Sequence, residues 1–166
     1  KFQKIHMTRK NEMYMSMEKL KVNSYSWQDV PTRTLKEIIY ETHIKIKKLI
    51  SLKKIDAIFC PAYEGGHQDH DVANFICSKF SNVCDIYEFP EYNFYKMKIN
   101  CNTFIENENN QNILKLTNEE KIFKKNCLQV YNSEKNNLNY IKIHKESFRP
   151  IKKYDYSKPP HSGVLF

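Results

Sequence analysis

Two imidazoles with a carboxylate between them stand at His67-Gln68-Asp69-His70, directly after Gly65-Gly66 and before Asp71. Neutral imidazole is a good zinc ligand. A second imidazole beside a metal can act as acid or base near neutral pH. A neighbouring carboxylate can fix the tautomer of a histidine. One loop therefore offers a metal ligand, a proton donor and an orienting group. The competing reading is a polar surface loop that happens to hold two histidines, because His-x-x-His is short enough to recur by chance.

The elements around the loop bear on that choice. Residues 55–60 are a short, mostly apolar run ended by Pro61, which predicts a strand buried on both faces. A helix is expected over 70–80 and a further strand over 83–89. The loop thus lies at the carboxyl end of a strand, where open α/β sheets bind ligands. Its two glycines allow a sharp turn and a close backbone approach. The order helix, strand, loop, helix, strand implies an α/β fold with a parallel sheet.

Upstream, Met13, Met17 and Leu20 share one face of a helix expected over 8–20. Residues 21–29 read as a short strand and a loop. Pro31 precedes a second helix over 32–51, with Leu35, Ile38, Ile39, Ile46, Leu49 and Ile50 as its apolar stripe and lysines outside. Downstream, residues 89–104 suit a hairpin or two short strands, and 107–112 a polar loop. Thr117-Asn118-Glu119-Glu120 is a capping box that opens a helix to about Tyr131. Residues 147–166 hold Pro150, Pro159 and Pro160 and read as extended.

Composition narrows the class. The 166 residues are 40% hydrophobic and 13% aromatic, which fits one globular domain and not a disordered chain. No apolar stretch is long enough to span a bilayer. The chain opens on Lys1, and residues 1–6 read like the middle of a protein, so residues upstream are expected. Cys60, Cys77, Cys84, Cys101 and Cys127 are odd in number and form no Cys-x-x-Cys pair. That argues against a disulfide framework or a zinc ribbon and for buried free thiols in a reducing, cytoplasmic setting. The net charge is +8, but it comes from scattered lysines, with Arg only at Arg9, Arg33 and Arg149. Lys shares AT-rich codons with the abundant Asn, Ile, Tyr and Phe, so no nucleic-acid partner is expected.

Gly65-Gly66-His67-Gln68-Asp69-His70 resembles the second signature of the LmbE/PIG-L family of zinc-dependent N-deacetylases, typically Gly-His-Pro-Asp-His, with Gln68 in the place of Pro. Other stretches are similar to family motifs in the right order. Arg9-Lys10-Asn11-Glu12 resembles its Arg-x-x-Glu helix, and Asp29 falls where members carry an Asp near the substrate. Tyr131-Asn132-Ser133-Glu134 resembles Tyr-x-Ser-Gln. Residues 146–150 and 154–156, followed by Pro159-Pro160, resemble the closing segment. The family's first signature, His-Pro-Asp-Asp, is not in this sequence; it would lie upstream of Arg9, and its N-terminal strand is expected to be missing.

The resemblance implies a single deacetylase-like domain over 1–166, with a Rossmann-like three-layer α/β fold and a mostly parallel sheet. It implies a hydrolase that removes acetyl from an N-acetylated amino sugar or conjugate, with zinc or another divalent metal as cofactor. His70 would be a metal ligand. His67 would stabilise the oxyanion and protonate the amine, and Asp69 would orient His67. Arg9 and Asp29 would bind substrate. From the residues alone, Arg9 can equally pair with Glu12, and Asp29 can be a turn residue before Pro31. The alternative overall is a noncatalytic binding domain that keeps the fold without the first metal signature.

Overall fold

The computed structural model describes residues 2–106 and 110–166. The residues 107–109 of the expected polar loop therefore lie outside the described residues. By its contacts the chain divides into two compact units, 1–29 with 115–146, and 30–114 with 147–166.

The second unit carries the glycine–histidine loop. Helix α2 (Ile39–Lys53) follows a short 3-10 turn (Leu35–Ile38). The single helix expected over 32–51 is thus broken at its start: Arg33 takes a left-handed backbone (φ 67°), which an α-helix cannot contain. Strand β1 (Ala57–Pro61), helix α3 (Gln68–Ser78) and strand β2 (Asp85–Phe89) then form a β-α-β unit. β1 and β2 pair in parallel, with Ala57 opposite Asp85 and Pro61 opposite Phe89. The hairpin expected within 89–104 is present as antiparallel β3 (Tyr92–Asn93) and β4 (Asn100–Cys101).

Strand β5 (Asn112–Lys115) and strand β6 (Lys145–Pro150) complete a four-stranded sheet of order β1-β2-β6-β5. β6 runs antiparallel to β2, with Glu88 opposite Arg149. The mostly parallel sheet expected from the sequence is therefore corrected to a mixed one. Residues 147–150, expected only as part of an extended tail, belong to strand β6, where Arg149 lies opposite Glu88 across the ladder.

The core of this unit is Ile50, Cys60, Ile76, Cys77, Phe80 and Ile86, with Ile39, Ile46, Val72 and Phe75 packed against it. β1 is not buried on both faces. It is an edge strand, and Phe59 is 55% exposed, with its ring stacked on Tyr87 at 5.1 Å. None of the five cysteines forms a disulfide among the described residues, and four of them are buried.

The first unit holds helix α1 (Phe2–Lys19) and helix α4 (Asn118–Leu128). The capping box forms as expected: Glu120 N–H donates to Thr117 Oγ1 at 3.2 Å, and Thr117 N–H donates to Glu120 Oε2 at 2.7 Å. Residues 21–29 make no strand; they are largely exposed, Val22, Tyr25 and Trp27 included, and lack a ladder partner. Among the described residues, no helix is long and apolar enough to cross a membrane.

Candidate active site

Strand β1 ends at Pro61, and the chain must reverse before α3 can pack on the sheet. Gly65 makes the turn with φ at 67°. Gly66 is required for a different reason: a Cβ there would lie 1.8 Å from the carbonyl oxygen of Tyr92. Asp71 closes the turn, its Oδ1 accepting from the N–H groups of Glu64 at 3.0 Å and Gly65 at 3.1 Å.

His67 is the N-cap of α3. Its backbone is extended, and its Nδ1 accepts from the Asp69 N–H at 3.1 Å. An Nδ1 that accepts cannot carry the proton of the neutral ring, so Nε2 carries it. Nε2 lies 3.3 Å from Thr32 Oγ1, the N–H donating to the hydroxyl. Burial holds the His67 imidazole below its usual pKa, and the nearby His70 adds to this. Both acidic residues of the first turn, Asp69 and Asp71, suit the positive end of the helix dipole.

Asp69 is placed differently from the expectation. Its Oδ2 is 3.9 Å from His67 Nδ1, beyond hydrogen-bonding distance. The carboxylate instead accepts from the N–H groups of Arg33 at 2.6 Å and Leu35 at 3.2 Å. Asp69 thus holds His67 through its backbone, and holds residues 33–35 through its side chain.

His70 lies in the first turn of α3, its ring centroid 4.9 Å from that of His67. Burial lowers its pKa as well. Its Nδ1 is a buried nitrogen without a hydrogen-bond partner. The nearest carboxylate oxygen, Glu91 Oε2, is 3.5 Å away. The Tyr92 ring meets the His70 ring edge-on at 5.8 Å.

Two residues here were not singled out from the sequence. Glu64 is 2% exposed, and its carboxylate accepts from Glu91 N–H at 2.7 Å and Asn93 Nδ2 at 3.0 Å. Burial pushes its pKa up to about 7 against those hydrogen bonds. Glu91 stands two residues beyond the end of β2, and burial raises its pKa too. Position could have found both, since each stands at the carboxyl end of a parallel strand.

Arg149, from the closing segment, forms a buried network across β2 and β6. Its Nε donates to Glu88 Oε1 at 2.8 Å, and Tyr154 OH donates to the same oxygen at 2.7 Å. Asn74 Nδ2 donates to Glu88 Oε2 at 3.1 Å. A cavity of about 290 Å³ lies beside it, bordered by Tyr63, Glu64, Phe104, Arg149 and Tyr154. Lys152 and Lys158 at its rim pair with Glu106 and Asp155, so its charge is largely compensated from within.

With this geometry in view, two solved structures share the fold. One is a deacetylase–bog complex from the biosynthesis pathway of teicoplanin. It is 12% identical, with a TM-score of 0.64, over 90% of this chain and 74% of that one. The other is the zinc-inhibited form of teicoplanin deacetylase Orf2, 11% identical, with a TM-score of 0.60, over 90% of this chain and 75% of that one. This chain shares its fold with these two proteins. No protein-family model and no curated protein sequence matches it. In this chain the glycine–histidine loop follows the first of the two strands that pair in parallel.

Within that fold, His70 suits a metal, since its Nδ1 is buried and has no other partner. The rest of a ligand set does not stand with it: among the described residues, no three His, Cys, Asp or Glu side chains are grouped to hold a metal ion. A catalytic zinc takes three protein ligands, so the described residues fit zinc at one position only.

Arg9 and Asp29 belong to the first unit. Arg9 pairs with Glu134, and not with Glu12 as the helical spacing allows. Glu12 is buried and accepts from Ser133 N–H at 2.9 Å and Ser133 Oγ at 2.5 Å. The Arg-x-x-Glu helix and the Tyr-x-Ser-Glu stretch are thereby joined by two polar contacts. Asp29 is exposed and accepts from Trp27 Nε1 at 2.7 Å, with His6 Nε2 at 2.9 Å.

Proposed function

We propose that this protein is a metal-dependent N-deacetylase of the LmbE/PIG-L type, which hydrolyses the acetamide of an amino sugar or its conjugate to acetate and amine. The observation that carries the reading is the His67–His70 pair at the start of α3. One imidazole has its proton fixed on Nε2, and the other has a buried nitrogen left without a partner. The shared fold with the teicoplanin deacetylases supports it, as does the ordered set of motifs along the sequence.

Zinc, when bound, would supply an activated water, and His70 is the residue here that would hold it. The chain's own contribution is positional and electrostatic. His67, whose neutral form burial favours, would turn its Nε2–H from the Thr32 hydroxyl to negative charge developing on the substrate carbonyl oxygen. The N-cap bond to Asp69 fixes which nitrogen donates. Glu64 fixes the backbone of Glu91 and the side chain of Asn93, and so sets the carboxylate that faces His70. For Arg9 and Asp29 the proposal is substrate binding, read as a rise in KM with kcat unchanged on substitution.

The test is hydrolysis of N-acetylated amino sugars by the zinc-loaded full-length protein, followed by acetate release. Turnover abolished by a chelator and restored by zinc supports the reading. Binding of such a ligand without any acetate release would favour a noncatalytic binding domain.

A further inference from the structure

Residues 161–166 run back over the glycine turn. Gly163 N–H donates to His161 Nδ1 at 2.8 Å, so the neutral ring carries its proton on Nε2. That Nε2 lies 3.1 Å from the carbonyl oxygen of Glu64, to which it donates. One step further along the turn, Phe166 N–H donates to the carbonyl oxygen of Gly65 at 3.0 Å. The segment is anchored on its other side by an antiparallel bridge between Val164 and Phe94, and by the Phe166 ring, 4.5 Å from the Phe94 ring. The fit is close: a Cβ on Gly65 would fall 2.5 Å from Leu165 Cδ2 and 3.1 Å from Pro160 Cγ.

The two carbonyls served in this way are those of Glu64 and Gly65, which follow the end of the β1–β2 ladder. Their N–H groups are taken by Asp71. The turn is therefore held from both sides, by α3 through its donors and by residues 161–166 through its acceptors.

We propose that residues 161–166 form a strap that sets the conformation of the Glu64-Gly65-Gly66 turn, with His161 as the positioning residue for the His67–His70 pair. It acts through the backbone of Glu64 and touches neither reacting imidazole. The activity arm of the test rests on the deacetylase reading; the exchange arm does not.

Two substitutions separate the two bonds of the ring. His161→Gln keeps a donor long enough to reach the Glu64 carbonyl but loses the acceptor for Gly163. His161→Asn keeps an acceptor for Gly163 but falls short of Glu64. In the full-length protein, amide hydrogen exchange over residues 65–71 should rise about tenfold in His161→Asn and stay within about twofold of wild type in His161→Gln. With zinc-loaded enzyme, kcat should fall in His161→Asn at constant KM and recover in His161→Gln. Equal exchange in the two variants, or no change in His161→Asn, would overturn the proposal. If the wild-type protein releases no acetate, the deacetylase reading fails, while the exchange result still decides the strap.

Discussion

Asp69 caps His67 with its backbone and not with its carboxylate: the Asp69 N–H donates to His67 Nδ1 at 3.1 Å, while the carboxylate oxygen stands off at 3.9 Å. The Nδ1 position, from which the acid of a hydrolase triad accepts a hydrogen bond, is occupied here by a main-chain donor at a helix N-terminus. Asp69→Asn should slow turnover by no more than about tenfold, against the roughly ten-thousandfold loss that follows removal of the orienting acid in a hydrolase triad. It should cost about 1 kcal/mol of stability, because the amide cannot accept from both Arg33 and Leu35. Steady-state kinetics and urea unfolding read the two effects. A loss of turnover approaching the triad value would return the carboxylate to the orienting role.

His70 and His67 should separate metal binding from turnover. In the full-length protein, His70→Ala should reduce zinc content at least about tenfold, as metal analysis by plasma emission would record. His67→Ala should leave zinc content unchanged and remove most turnover, since it takes away the Nε2–H donor and not a ligand; loss of one such donor typically slows the reaction by about a hundredfold to a thousandfold. Full zinc occupancy in His70→Ala would exclude it as a ligand.

Glu64 gives the fold a pH dependence of known sign. Its pKa in the fold is about 7, raised from 4.5 by burial. Folding therefore favours the protonated form. The associated stability is fully present below pH 4.5 and is lost as pH rises through 7, by about 3 kcal/mol in total. Urea midpoints measured across that window should decline, and Glu64→Gln should flatten the decline. A wild-type midpoint that rises steadily across the same window would contradict the raised pKa.

The Glu88–Arg149 pair should behave as a buried cross-strand ion pair, with side chains 0% and 6% exposed. Glu88→Gln or Arg149→Met alone leaves an uncompensated buried charge or an unmet acceptor and should cost about 3–5 kcal/mol. The double variant should be less destabilised than the sum of the two. Chemical denaturation of the three variants gives the coupling directly, and simple additivity would mean that the two side chains do not interact.

Local rules made much of this molecule legible in its sequence. The apolar run before Pro61, the Gly65-Gly66 turn and the capping box at Thr117 each act over a few residues, and each appears where those rules put it. So does the joining of two histidines to the start of a helix. The need for Gly at position 66, in contrast, comes from the carbonyl of Tyr92, a residue from a different strand. The mixed sheet depends on which strand lies beside β2. β6 takes that place, with Arg149 opposite Glu88, a pairing that no periodicity records. The sequence alone determined which residue types meet at the loop and what chemistry they suit. Only the tertiary structure decided that the Asp69 carboxylate holds residues 33–35, which carboxylate faces His70, and that His161 reaches the turn. Those depend on distances between segments far apart in the chain, which spacing along the sequence does not encode.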